Sequence, residues 1–182
     1  MSAKVKDKDC PVGTGHVYRS DAPIRCFVAG NAAMEQSLDK VVCILRREHY
    51  KGKACPFTGE IALDLDKVEL LSKKGKKGTV MDKTVDFAVC LDDDWLLLVE
   101  AKLDVDNAVN ISKDEICGKI RHSQDILMSC CNFKHFEKKV VVLLKEKNYQ
   151  QNYNRLRRSL MPRNPNVAPL TVKKFYSDYF VL

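Results

Sequence analysis

The most regular patterning in the chain lies between residues 31 and 147. Within AAMEQSLDKVVCILRREHY, the apolar positions Met34, Leu38, Val41, Val42 and Leu45 recur at helical spacing. Asn31 is placed to cap a helix that runs to about Tyr50. Residues 51–59 contain Gly52, Pro56 and Gly59 and read as a turn. EIALDLDKVELLS then alternates, Ile61, Leu63 and Leu65 against Ala62, Asp64 and Asp66, which predicts a strand with one wet face. KKGKKG, residues 73–78, is a basic loop. The stretch TVDFAVCLDDDWLLLVEAKLD, residues 84–104, reads as two strongly apolar strands joined by the acidic turn Asp92–Asp94. After a connection at 105–111, a second helix is predicted over roughly 112–132. Its stripe is Ile116, Ile120, Leu127 and Cys131, and Ser112 with Glu115 form a capping box. KKVVVLLKEKN is a near-continuous apolar run, the type expected for a buried strand of a parallel pair.

The flanks are less regular. Residues 1–30, with Pro11 and Pro23, read as an arm or covering loop. Residues 149–169 are polar and rich in Pro and Asn, and LTVKKFYSDYFVL closes the chain as one or two strands or as a short helix and a strand. The expected order is therefore helix, three strands, helix, strand, with residues 148–182 as a C-terminal extension of a single domain. Three consecutive strands make an antiparallel meander, and the following helix permits a crossover to a fourth. The class is α/β, a mixed central sheet flanked by helices.

Composition changes this picture little. The hydrophobic content of 45% is ordinary for a chain that buries a core. With 31 Lys+Arg against 24 Asp+Glu, the net charge of +7 favours a polyanionic partner, although a merely solvated basic surface is the commoner meaning of such a balance. No apolar run approaches the roughly 20 residues of a membrane helix. No apolar signal segment opens the sequence, so a cytoplasmic location is expected. None of the eight cysteines forms a CxxC pair, which fits reduced thiols. A zinc site drawn from Cys10, His16, Cys26, His49 and Cys55 would have no standard spacing.

Candidate chemistry comes from the two apolar strands. If the turn is Asp92–Asp94, Leu91 faces Trp95, and the same register sets Asp86 opposite Glu100. The two carboxylates are then cross-strand neighbours, their Cβ atoms roughly 4.5–5.5 Å apart. Lys102 shares their face, while Val85, Phe87, Val89, Leu97 and Val99 line the other. Carboxylates this close repel unless something positive lies between them, and hard oxygen ligands suit Mg²⁺ or Mn²⁺. Lys102 would orient or deprotonate a water, or stabilise charge developing on a phosphate. These parts make a phosphodiester hydrolysis site. A plain Lys–acid pair closing a strand end is the alternative for Glu100 with Lys102 alone.

Asp86 in TVDF followed by Val99–Glu100–Ala101–Lys102 resembles the signature of the PD-(D/E)XK, or restriction-endonuclease-like, nuclease superfamily. The element order over residues 31–147 is similar to that superfamily's core of helix, three-strand meander, helix and strand. Val85 stands where the family has its proline. The resemblance implies a Mg²⁺- or Mn²⁺-dependent nuclease acting on DNA more than RNA. Asp86, Glu100 and the Ala101 carbonyl would be metal ligands and Lys102 the catalytic lysine. It also implies an additional acid from the first helix, for which Glu35 is the candidate, equally readable as a surface acid, with Glu60 the weaker rival. Gln124, interrupting the stripe of the second helix, is a candidate assisting residue or a core-edge glutamine. Lys73, Lys74, Lys76, Lys77, Arg121, Arg155, Arg157 and Arg158 are candidate phosphate contacts. The resemblance also suggests a homodimer. A nuclease-like domain that binds nucleic acid or a protein without cutting is the competing expectation.

Overall fold

The structure, a computed structural model, describes residues 15–74, 81–131, 135–162 and 164–181. Its centre is a sheet of six strands: β1 (Leu38–Lys40), β2 (Ile61–Asp64), β3 (Phe87–Cys90), β4 (Leu96–Lys102), β5 (Val140–Leu144) and β6 (Val167–Thr171). The strands lie side by side in chain order. From β1 to β4 the pairing is antiparallel; β4, β5 and β6 run parallel. The change of direction follows from the connections. β3 and β4 are joined by a tight turn, whereas β4 reaches β5 through the helix α5 (Lys113–Cys131), and β5 reaches β6 through α6 (Tyr149–Ser159). The remaining helices are α1 (Ala22–Val28), α2 (Ala32–Glu35), α3 (Val41–Arg47), α4 (Leu65–Ser72) and α7 (Val172–Tyr179). The fold is thus α/β, with a mixed open sheet flanked by helices.

Each face of the sheet has its own core. On one face, Leu63, Ala88, Cys90, Leu96, Leu98 and Val142 pack against residues of α1, α2, α4, α5 and α6. On the other, Phe87, Val89, Leu97, Val99, Val141 and Leu143 meet Val41, Ile44 and Leu45 of α3 and Phe175 and Tyr179 of α7. The near-continuous apolar run of β5 is explained by this: all five of its residues are buried. Val85 departs from expectation. It precedes β3, where the chain has left the sheet, and packs in the first core rather than the second.

Several elements differ from the pattern reading. The single helix expected from Asn31 to Tyr50 is divided into α2, β1 and α3. Asn31 does cap a helix, accepting from Met34 N at 3.2 Å, but Leu38 leaves it to pair with Leu63. The strand expected over EIALDLDKVELLS ends at Asp64, whose carboxylate accepts from Lys67 N at 2.9 Å and so caps α4. Residues 22–28, in the expected arm, form α1 with a proline in its first turn. The polar stretch 149–169 contains α6, and residues 148–182 add β6 to the sheet and α7 to the core. At the start of α5, Ser112 Oγ accepts from Glu115 N at 3.3 Å as expected, while the Glu115 carboxylate pairs with Lys83. No helix among the described residues is long and apolar enough to cross a membrane.

Candidate active site

The β3–β4 register is the one the turn predicted: Leu91 N donates to Trp95 O at 2.7 Å, and Phe87 lies opposite Val99. Extending the ladder by one residue sets Asp86 opposite Glu100. Asp86 is held by its neighbours. Its Oδ2 accepts from Ala101 N at 2.5 Å, and its own carbonyl accepts from Leu65 N. One residue earlier, Val85 N donates to Ser123 Oγ of α5 at 2.9 Å. Asp86 is 6% exposed and Glu100 fully buried, at the edge of the core face that α5 covers.

Two ammonium groups meet these acids. Lys102 Nζ stands 2.7 Å from Glu100 Oε1. Lys119, from α5, lies between the carboxylates: its Nζ is 2.8 and 3.1 Å from the two oxygens of Glu100 and 3.9 Å from Asp86 Oδ1. Burial pushes the Asp86 carboxyl up to about 8, with the Glu100 charge adding to it and Lys119 and the Ala101 N–H opposing. Burial works against the Lys119 charge, yet Glu100 and then Asp86 more than offset it, so its pKa is raised. Glu48, just past the end of α3, is pushed up by burial, by Asp66 and by Glu100, against the pull of Lys119. Asp66, in the first turn of α4, also acts on Lys119 and accepts a hydrogen bond from the buried Thr84 hydroxyl.

Four carboxylates, Asp86, Glu100, Glu48 and Asp66, therefore share one neighbourhood with two ammonium groups. The balance is negative, and the donors are all hard oxygens. No three of these acids come within ligating distance of one another; Asp86 and Glu100, with the Ala101 carbonyl next to Glu100 in β4, are the hard oxygen donors that would hold a divalent cation of the Mg²⁺ or Mn²⁺ type.

Of the residues singled out in the sequence, Asp86, Glu100, Ala101 and Lys102 come together. Glu35 does not join them. It ends α2, and its Oε1 accepts from Gly30 N at 2.7 Å, closing the turn before the helix. The break at β1 separates it from α3, and Glu48 is the acid that the α3 segment brings near the site. Glu60 accepts from Thr58 N and Gly59 N instead. Gln124 is half-buried, five residues and so roughly 140° round α5 from Lys119, on the other side of the apolar stripe.

The basic candidates are dispersed. Lys73 pairs with Glu69 and Asp82. Lys74 is exposed at the end of α4, and Lys76 and Lys77 lie outside the described residues. Arg121 is exposed on α5. Arg155 donates to Asn107 Oδ1 and ties α6 to the connection after β4, while Arg157 and Arg158 are exposed in the last turn of α6.

The cysteine–histidine set of non-standard spacing is not assembled among the described residues, Cys10 lying outside them: His16 stacks on Trp95 and pairs with Asp92, and Cys26 is exposed on α1. The clusters that do come within ligating distance among the described residues lie elsewhere, His16 with Asp92 and Asp93, and Glu69 with Asp82 and His122. In the first, Asp92 already holds Val17 N and Arg19; in the second, Lys73 bridges both acids.

Lys119, Ser123, Glu48 and Asp66 were not singled out. Lys119 and Ser123 carried a signal: both fall on the buried side of the α5 stripe, where a cation and a hydroxyl need partners. Comparison of the chain with protein-family models, curated proteins and solved structures finds no match.

Proposed function

We propose that this chain is a divalent-metal-dependent nuclease that hydrolyses phosphodiester bonds in DNA, built on a restriction-endonuclease-like core. The observation that carries the reading is that Asp86, which accepts from Ala101 N, and Glu100 both lie within 3.9 Å of Lys119 Nζ, with Lys102 Nζ 2.7 Å from Glu100. A bound Mg²⁺ or Mn²⁺ would supply Lewis-acid polarisation of a phosphate oxygen and a more acidic water. The chain's own residues do the rest. Ala101 N fixes the orientation of the Asp86 carboxylate, and Ser123 fixes the backbone that carries it. Lys102, held on Glu100 and partly exposed, is the cation placed to donate to a phosphate oxygen as charge develops there. The test is cleavage of plasmid and branched DNA with Mg²⁺ or Mn²⁺. Lys102→Ala and Glu100→Gln should each lower the rate by 100-fold or more, on the order expected for lost transition-state stabilisation. Undiminished cleavage by Lys102→Ala would overturn the assignment.

A second reading has an observation of its own. Lys119 satisfies both carboxylates as an internal counter-ion, which a nuclease-like domain that binds without cutting would retain. It predicts salt-sensitive DNA binding that is indifferent to metal. Mn²⁺ titration, followed by electron paramagnetic resonance, separates the two: the nuclease reading requires a site lost in Asp86→Asn.

A further inference from the structure

At the end of β4 that carries Lys102, and mainly on the sheet face opposite the acid cluster, the structure opens a cavity of about 250 Å³. Glu48 is followed by His49, and Lys102 by Leu103, and both His49 and Leu103 line it. Its apolar floor is made by Leu103, Leu144 and Val172, all buried.

One wall is aromatic and held in place. His49 adopts a left-handed conformation (φ 66°) directly after α3. Its N–H donates to Arg46 O and that of Tyr50 to Leu45 O, which closes the helix and turns the chain sharply. Tyr50 then folds over Gly52. A Cβ at Gly52 would lie 2.3 Å from the Tyr50 hydroxyl, so only glycine leaves room for the ring.

The rim is cationic. Lys51 and Lys147 are exposed there, and Lys145 is anchored by Asp106 at 2.8 Å. The acid on the rim, Glu146, is paired with Lys173.

An apolar floor, a fixed aromatic wall and a cationic rim suit a planar ring system that carries phosphate. The volume is below the roughly 300–1,000 Å³ of sites for drug-sized ligands, so it suits one ring system. A base stacked inside a duplex cannot enter such a cavity; an unstacked one can. We propose that the cavity seats one unstacked nucleobase of the strand presented to Asp86 and Glu100, and that single-stranded DNA is therefore the preferred substrate. The inference rests on reading that centre as a nuclease.

The full chain, in EDTA so that nothing is cut, is titrated into a fluorescein-labelled single-stranded 12-mer, into its duplex, and into versions with an abasic site at each position. The single strand should bind more tightly than the duplex, and an abasic site at one position should weaken binding by about 5-fold to 150-fold, the range for loss of one base–aromatic stack. Tyr50→Leu should bind intact and abasic strands alike. Gly52→Ala, which displaces the ring by a different route, should do the same. Circular dichroism and thermal melting establish that both variants fold.

A duplex bound as tightly as the single strand, a flat abasic scan, or folded variants that keep the wild-type preference would each overturn the proposal. Cleavage is scored separately. Mn²⁺-dependent cutting with a flat abasic scan removes the cavity's role alone, whereas base-dependent binding with no cutting under Mg²⁺ or Mn²⁺ removes the nuclease reading.

Discussion

At the scale of single residues, Lys119 decides how the acid pair is tolerated. Two carboxylates in a desolvated site are costly, and here an ammonium from a different element lies within 3.9 Å of both. Removing it in Lys119→Met leaves both acids buried without that partner. Urea unfolding should register a loss of about 3–5 kcal/mol, the range for breaking a buried pair. Mn²⁺ should recover part of it if the acids bind metal. A variant as stable as the wild type would mean that Lys119 is not the counter-ion. Asp86 gives a second test, through pH. Its folded pKa is about 8, far above the unfolded value of 3.8. Between those values the folded state keeps a proton that the unfolded state has lost. This contribution is therefore fully present below about pH 4 and is lost as pH rises towards 8. The difference in unfolding free energy between wild type and Asp86→Asn, measured at pH 5 and pH 8, should move against the wild type at the higher pH. A constant difference would mean that Asp86 ionises as an ordinary carboxyl.

At the scale of elements, the parts legible in the sequence were those whose pattern had a single structural solution. The β3–β4 register was one, because a slip by one residue would exchange the faces of Asp86 and Phe87. The apolar run of β5 was another. Elsewhere two solutions shared one pattern. Met34, Leu38 and Val41 lie at helical spacing, yet they face the core equally well from a helix, a strand and a second helix. Pairing of Leu38 with Leu63, a partner far away in sequence, settles which form wins. The alternation of residues 61–66 hid a cap: Asp64 is also the residue a helix start requires, and Val68 and Leu71 continue at helical spacing from Leu65. In α6 and at its C-cap, Tyr149, Tyr153, Leu156 and Leu160 also keep helical spacing, masked by a polar, proline-containing surround. The site was half legible for a related reason. Asp86, Glu100 and Lys102 belong to one hairpin, whereas Lys119 and Ser123 arrive by a crossover whose approach angle no local pattern encodes. Ser123 allows a test of that tertiary contribution. Its hydroxyl is the acceptor for the buried Val85 N–H, so Ser123→Ala should cost about 1–3 kcal/mol in urea unfolding. It should also weaken Mn²⁺ binding through the adjacent Asp86; unaltered stability and Mn²⁺ affinity would detach α5 from the site.

At the scale of the whole molecule, the first and last described segments complete the structure rather than decorate it. Tyr18 N donates to Tyr179 O at 2.7 Å, and the Tyr18 hydroxyl accepts from Ile61 N, so the first described segment is fastened to both the last helix and the second strand. β6 covers the edge of β5, and Phe175 and Tyr179 of α7 fill the core beneath β3 and β5 together with Phe57. A chain cut after Lys147 would expose the hydrogen-bonding edge of β5 and the apolar face that Leu170, Val172, Phe175 and Tyr179 now cover. It would also lose Val172, a floor residue of the cavity at the end of β4. Burial of large side chains contributes on the order of 1.5–3 kcal/mol each, and the net stability of a domain is only about 5–15 kcal/mol. Residues 1–147 should therefore show no cooperative urea transition and should bind a hydrophobic dye, while the full chain unfolds in a single step. A sharp transition in the shortened chain, at a midpoint near that of the full one, would mean that the sheet closes without its sixth strand and that α6, β6 and α7 form a separable layer.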